Sequence, residues 1–408
     1  MITELNARID RFRAPRRTRH FDTDSLLALT GASSLSELWN RLVDRLYAVP
    51  IRAVSEPDYE RACPGDGGRI FRQADAALAH RVELFGSPAV DLGADIDWHT
   101  DFKTGKSWKP IFMPDIDFVS LGSSGDVKVP RELSRLQWLM PAGQAYLLTG
   151  DERYAAGVRA VLEDWIAANP YAQGVNWACT IEAAVRTLSW TWFFHVFARS
   201  SAWSDGAFQS RFLRTLFLHG ELTERHLDRA EINGSHITAN AVAMVFAGLF
   251  FGRGAAPARW SEDGWRRLCE ELPRQVLPDG LDFEASIPYH RLVLELFFLA
   301  ARYREACGLP VPDAYRDRLV TMARFTQACT RPDGSAPLLG DADDARALPF
   351  GEQAIGDHRH LAGLVGAHWS VPELIDGFSG SRAEIFWTLG GRAAALLPHP
   401  SSLQLGIS

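Results

Sequence analysis

ANAVAMVFAGLFF, residues 239–251, is apolar around almost its whole circumference when wound as a helix. Such a helix has no face to give to water, so it packs between two layers of other helices. The apolar run within it, near 241–251, is too short to cross a bilayer. The same texture returns in LVLELFFLAA, residues 292–301. Two sandwiched helices call for many partners, and the neighbouring sequence supplies them.

From about Pro130 the pattern is helical almost to the end. The spacing predicts helices over Arg131–Thr149, Glu152–Ala168, Thr180–Phe197, Asp205–Arg225, His236–Phe251, Glu262–Gln275, Tyr289–Cys307 and Pro312–Thr330. Short polar or Gly/Pro-bearing loops separate them, so consecutive helices are antiparallel neighbours. A superhelical array or a closed double ring satisfies that arrangement. No fixed-period repeat of the TPR or ankyrin kind is visible, which disfavours a simple solenoid. Upstream, residues 1–80 read as short amphipathic helices, one over Leu35–Leu46 with Ser34 as N-cap and Glu37 at capping-box spacing. Residues 81–114 are punctuated by Gly, Pro and Asp and read as extended segments and loops. Residues 352–390 are weaker helices. The expected organisation is an N-terminal arm over 1–127, a helical body over 128–392 and a frayed tail over 393–408.

Composition bounds the function. The chain has 408 residues, 47% of them hydrophobic, enough for one large or two medium domains. At a net charge of -7 it has no global basic field, which argues against a nucleic-acid partner. Its five cysteines (Cys63, Cys179, Cys269, Cys307 and Cys329) form no CxxC pair, so buried free thiols are expected rather than disulfides or zinc. Residues 1–19 are Arg-rich without an apolar core, so no secretory signal is read. A cytoplasmic location is the default, or a periplasmic one if a leader has been removed. The only lysines are Lys103, Lys106, Lys109 and Lys128, a local cationic segment that either faces a substrate or reflects Arg-rich usage elsewhere.

Four segments gather polar and aromatic residues beside helix ends. In NWACTIEAAVR, Asn176 precedes a helix on which Glu182 and Arg186 share a face. They read either as a routine i, i+4 ion pair of about 0.3–0.5 kcal/mol or as a buried pair that organises a site. In EINGSHITAN, Ser235 is a candidate N-cap that puts His236 in the first turn, where the dipole favours a neutral imidazole, with Asn240 one turn on. A capping loop with a core His fits this spacing as well. In DGLDFEASIPYHR, Ser286 and Pro288 mark a helix start that carries Tyr289 and His290, with Asp279, Asp282 and Glu284 just upstream. The fourth, PDGSAPLLGDADD, reads as a polar loop without an EF-hand pattern. No nucleophile elbow, P-loop, Rossmann fingerprint or HExxH is present.

Together with DIDWHTDFKTGKSW (95–108) and DVKVPRELSRLQWL (126–139), these segments resemble, in order and over roughly residues 80–345, the N-terminal half of heparinase II/III-like and alginate-lyase-like polysaccharide lyases. The resemblance implies an all-α, incomplete (α/α) toroid. No run of alternating strands corresponds to the β-sandwich that follows the toroid in that family. The resemblance also implies cleavage of a uronic-acid-containing, anionic polysaccharide by β-elimination, with no cofactor and no membrane span. It gives catalytic roles to His236 and Tyr289. Asn176, Glu182, Arg186, Asn233, Ser235, Asn240, Glu284 and His290 are the candidate substrate-binding residues. Ser235 stands where the family usually carries Asn, and a hydroxyl offers one donor where an amide offers two. C5-epimerisation of uronate uses the same acid and base. A non-catalytic glycan-binding or scaffold relative, acting in surface-polysaccharide assembly, fits an aromatic-rich cleft. A toroidal hydrolase would draw on Asp279, Asp282, Glu284 and Asp341.

Overall fold

Helix α8 (Thr180–Phe197) has all but one of its residues buried, so it can only lie between layers. Its buried hydroxyls turn inward on the helix itself: Thr187 donates to the Ala183 carbonyl (2.8 Å) and Thr191 to that of Thr187 (2.8 Å). In this computed structural model the described residues are Arg17, 20–117, 125–225, 234–341, 344–351 and 353–398.

The chain before α8 forms α1 (Thr23–Thr30), α2 (Leu35–Val43), α3 (Glu56–Ala62), α4 (Gly67–Leu78), α5 (Lys128–Leu133), α6 (Met140–Thr149) and α7 (Glu152–Ala168). After it come α9 (Gly206–Arg225), α10 (Ser235–Phe251), α11 (Ala255–Gln275), α12 (Ile287–Ala306), α13 (Asp313–Cys329) and α14 (Arg359–Trp369). The last are α15 (Pro372–Asp376), α16 (Ala383–Leu389) and α17 (Gly391–Ala394). The only strands among the described residues are two antiparallel pairs, β1 (Arg81–Val82) with β2 (Val90–Asp91) and β3 (Thr100–Asp101) with β4 (Lys106–Ser107). The expected all-α class holds, and the segment read as extended contains these strands.

Two compact units divide the chain. Unit 1 comprises Met1–Arg45, Ile70–Ile232 and Ala239–Arg266, and unit 2 comprises Leu46–Arg69, Asn233–Thr238 and Arg267–Ser408. Within unit 1, α8 packs on α6 and α9, α7 packs on α6 and α9, and α1 and α2 cover α9. This is helix-on-helix layering of the toroidal kind. Its core is aromatic, with Trp190 stacked on Phe212 (ring centroids 5.3 Å apart) and set edge-on to Trp165 (5.4 Å). Within unit 2, α12 packs on α13 and α14, and α16 packs on α3 and α14.

Helix ends mostly fall where the spacing put them. Some differ: the predicted helix Arg131–Thr149 is broken, because Leu136 takes a left-handed conformation (φ 60°) between α5 and the short 3-10 turn that leads into α6. Pro141 in the first turn of α6 fits a fresh helix start, since its missing N–H costs nothing there. The α11 helix begins at Ala255, a full turn and more before the predicted Glu262. At the C-terminal end Ala394 and Leu397 are buried, while residues 399–408 lie outside the described set.

Gly248 of α10 meets the backbone of α11 so closely that an added Cβ would strike the Ser261 amide nitrogen and the Pro257 carbonyl oxygen. Backbone cannot swing aside as a side-chain tip can. Gly248→Ala is therefore expected to lower stability by roughly 1–3 kcal/mol. Denaturant unfolding checks this, and an unchanged midpoint would contradict the close packing.

Candidate functional site

The residues singled out from the sequence fall into both units. Asn176, Glu182, Arg186 and Asn240 belong to unit 1, and Ser235, His236, Glu284, Tyr289 and His290 to unit 2. Asn233 lies outside the described residues.

In unit 1 the spacing of Glu182 and Arg186 misleads. Glu182 is buried and takes a two-pronged bond from Arg135, Nε at 2.7 Å and Nη2 at 3.1 Å. Arg186, fully buried, goes elsewhere: Nε donates to His219 Nε2 (2.9 Å) and Nη2 to the Asn176 carbonyl (2.5 Å). Its guanidinium lies over the rings of Trp165 (4.9 Å) and Trp177 (5.3 Å). The tautomer of His219 follows from its other nitrogen. Nδ1 bonds the Thr215 carbonyl (2.8 Å), so it carries the proton, and Nε2 is free to accept. Burial, then the Arg186 charge, holds His219 well below its ordinary range, so it is neutral. Burial also pulls Arg186 down to about 9. Asn176 donates to the Trp98 carbonyl and to Asn169 Oδ1, both at 2.8 Å. Asn240 Nδ2 donates to Thr180 Oγ1 at the start of α8 (2.9 Å). These side chains are committed to the unit's interior. The orphaned atoms Arg186 Nη1, Asn176 Oδ1 and Asn240 Oδ1 are the polar groups they leave over.

In unit 2 one short turn joins two helix starts. The sequence put Ser235 at the N-cap of α10, but the helix begins at Ser235 itself, with the Gly234 carbonyl accepting from Ile237 N. The first amide, on Ser235, is met instead by the Glu284 carboxylate. An acidic group there suits the positive end of the helix. Two residues on, Ser286 caps α12 by accepting from Tyr289 N (3.1 Å), and its hydroxyl donates to the Asp341 carbonyl (2.7 Å). The PDGSAPLLGDADD loop, read as merely polar, thus holds this cap through its backbone. Both helices display a candidate catalytic residue in the first turn, His236 exposed and Tyr289 half-buried.

His290 does not reach outward. It is buried, with Nδ1 accepting from Asp282 N (3.3 Å) and Nε2 facing Thr326 Oγ1 (3.0 Å) and the Met322 carbonyl (3.3 Å). Burial pulls it down to about 4, so it is a neutral strut beneath the turn. Further along α12, the buried Glu295 accepts from Arg346 Nε (2.5 Å), Ala347 N (2.9 Å) and His360 Nε2 (2.8 Å). This network pins the 345–360 segment to the helix that carries Tyr289. No local spacing announced Arg135, His219 or Arg346, because each partner lies more than thirty residues away in sequence.

A family model described as Heparinase II/III N-terminus matches residues 53–350. A heparin-sulfate lyase of Pedobacter heparinus is 28% identical over 301 residues, covering 70% of this chain and 42% of its own length. A heparin-sulfate lyase of Bacteroides stercoris is 26% identical over 296 residues, covering 66% and 40% respectively. The chain therefore spans less than half the length of these curated relatives. Its fold is similar to that of heparan sulfate lyase HepC from Pedobacter heparinus, with a TM-score of 0.55 and 22% identity over 88% of this chain and 50% of that one. It is also similar to a solved Heparinase III, with a TM-score of 0.56 and 19% identity over 85% and 50%. At these identities the structural likeness is one of fold alone.

The buried histidines set a pH dependence. His290 is pulled down to about 4 and His358 to about 3, in both cases mainly by burial. Unfolded, each protonates near its ordinary 6.5. Below that pH the unfolded chain binds protons that the folded chain refuses. The histidine contribution to stability is then full above about 6.5 and falls on acidification by up to about 1.4 kcal/mol per pH unit for each histidine. Denaturant unfolding from neutral to mildly acidic pH should show this slope, and His290→Gln should flatten it by one proton. A wild-type stability independent of pH over that window would contradict the neutral, buried state.

Proposed function

Because the chain belongs to the heparinase II/III family, whose N-terminal model it matches over residues 53–350, we propose that it acts as a polysaccharide lyase on uronic-acid-containing chains. One observation carries the reading. The turn Glu284–Ser286 supports the first turns of two helices at once, and those turns display His236 and Tyr289. Both side chains are reachable from outside, and both are set on rigid elements rather than on a loop.

The chemistry makes three demands. The C5 proton of a uronate becomes acidic only when the neighbouring carboxylate is neutralised by hydrogen bonds or positive charge. A base then removes the proton. The electron pair forms the C4–C5 double bond, the C4–O4 bond breaks, and an acid protonates the departing O4. Tyr289 is assigned the acid role, and it also serves as the base when the C5 proton lies on its side of the ring. His236 is assigned carboxylate neutralisation, or the base role for the opposite stereochemistry. Glu284 already occupies the positive end of α10, so the helix dipole is not spare for the substrate carboxylate. That leaves neutralisation to side chains near His236, including the Ser235 hydroxyl. The buried Glu182, Arg186 and Asn176 act through the interior bonds of unit 1.

Tyr289→Phe removes only the proton-transferring hydroxyl. It should abolish turnover while leaving glycan binding nearly intact, whereas His236→Ala should reduce turnover strongly. The readout is ultraviolet absorbance of the 4,5-unsaturated uronate, with alginate, heparan sulfate, hyaluronan, chondroitin and polygalacturonate as substrates. A rise with one polymer that is lost in Tyr289→Phe supports the lyase. Wild-type turnover in that variant would remove Tyr289 from the chemistry. A flat trace for the wild-type protein on every polymer would count against the lyase reading itself.

A further inference from the structure

Asp282 is a fully buried carboxyl group with no cation beside it among the described residues. Its Oδ1 accepts from Glu284 N (3.1 Å), and its Oδ2 has no partner among the described residues. The described groups around it offer it no positive charge. On its own turn, Glu284 is acidic, and Asp279 accepts from Leu281 N. From α12 comes neutral His290, whose Nδ1 already accepts from the Asp282 amide. From α13 come the Thr326 hydroxyl, turned to His290, and Arg318, spent on the carbonyls of Val276 and Leu277 (3.4 and 3.2 Å). The end of α11 presents the Gln275 carbonyl, which accepts from Phe283 N (2.7 Å). A carboxylate so placed would be an uncompensated buried charge two residues from a second carboxylate, whereas a carboxylic acid fits.

The backbone here is also under tension. Ala285, a non-glycine residue, takes φ 53° while its amide donates to the Asp282 carbonyl (3.0 Å). A left-handed alanine persists only where its surroundings hold it, and here the Asp282 backbone carbonyl accepts from Ala285 N while its carboxyl accepts from Glu284 N.

We propose that Asp282 is a positioning residue: as the neutral acid it leaves undisturbed the turn that seats Glu284 on the His236 helix and Ser286 under the Tyr289 helix, and its ionisation, which sets a second buried negative charge beside Glu284, releases that seat. Burial, with Glu284 adding its charge, pushes its titration up to about 7, which places the release near neutrality. The importance of this seat for catalysis rests on the roles assigned above to His236 and Tyr289, but its existence does not.

The test reads the seat without turnover. Amide hydrogen exchange at Ser235 in serine-labelled protein, expressed as protection so that base catalysis cancels, reports the Glu284 bond. In the wild type, protection should fall by up to about tenfold per pH unit between about pH 4 and 7 and level off above that. In Asp282→Asn, which mimics the neutral acid, it should stay level. Identical pH profiles in the two proteins would overturn the proposal. Should that variant not fold, carbon NMR of the Asp282 carboxyl in the wild type decides instead. A group still protonated at pH 6 supports the proposal, and one that titrates in the ordinary carboxylate range overturns it. Once a substrate is in hand, the same substitution should remove an alkaline loss of kcat with KM unchanged. Absence of any turnover would count against the lyase reading and leave the exchange result standing.

Discussion

The carboxylate of Glu284 on the first amide of α10 is the bond that ties the candidate chemistry together. It works only because Gly234 precedes that amide: a Cβ at Gly234 would run into Glu284 Oε1. It also works only because the turn is short enough for Ser286, two residues on, to cap α12. One side chain therefore fixes the start of the helix bearing His236, and its neighbour fixes the start of the helix bearing Tyr289. Gly340 closes the arrangement from the other side. It adopts φ 75°, and any Cβ there would press on Ser286. Two glycines, two caps and one buried acid hold a geometry that neither helix could specify alone.

Behind this arrangement, each unit contains a buried charged network, and both follow the same rule. A buried charge is tolerated when its hydrogen bonds are made and its countercharge or aromatic partner is close. In unit 1, Arg186 lies against the rings of Trp165 and Trp177 and donates to a histidine kept neutral by its surroundings. In unit 2, Glu295 sits among Arg346, His360 and a backbone amide, and the Arg346 charge holds it down to about 2 against the pull of burial. Asp282 departs from this rule. It has burial without a cation, and it lies in the turn that the chemistry depends on. Asp101, also buried with no ion pair among the described residues, differs from it in accepting from Lys103 N, Thr104 Oγ1 and Asp126 N, where Asp282 accepts at one oxygen only.

The sequence made much of this legible, but unevenly. Apolar periodicity placed α7, α8, α12 and α13 within a residue or two, because helices buried on most sides leave little ambiguity in 3.6-residue spacing. Ser286 announced the α12 cap through local chemistry, and the structure uses it so. Ser235 looked like the same signal two helices earlier and was not, because a carboxylate from forty-nine residues away satisfies that amide first. The Glu182–Arg186 spacing promised a pair that Arg135 and His219 took instead. Local spacing sees one helix face, whereas buried charge is settled by partners brought in by tertiary packing. His290, adjacent to Tyr289 in sequence, turns inward because successive helical residues point about a quarter-turn apart or more.

The central claim is that the start of α10 and the start of α12 together address one sugar site. It is tested most directly by titrating short uronate oligosaccharides into Tyr289→Phe protein and following the His236 ring by NMR. The account predicts a saturable shift of the His236 signal, with the buried His290 and His358 signals unmoved. Saturable glycan binding that leaves the His236 signal unchanged would contradict it.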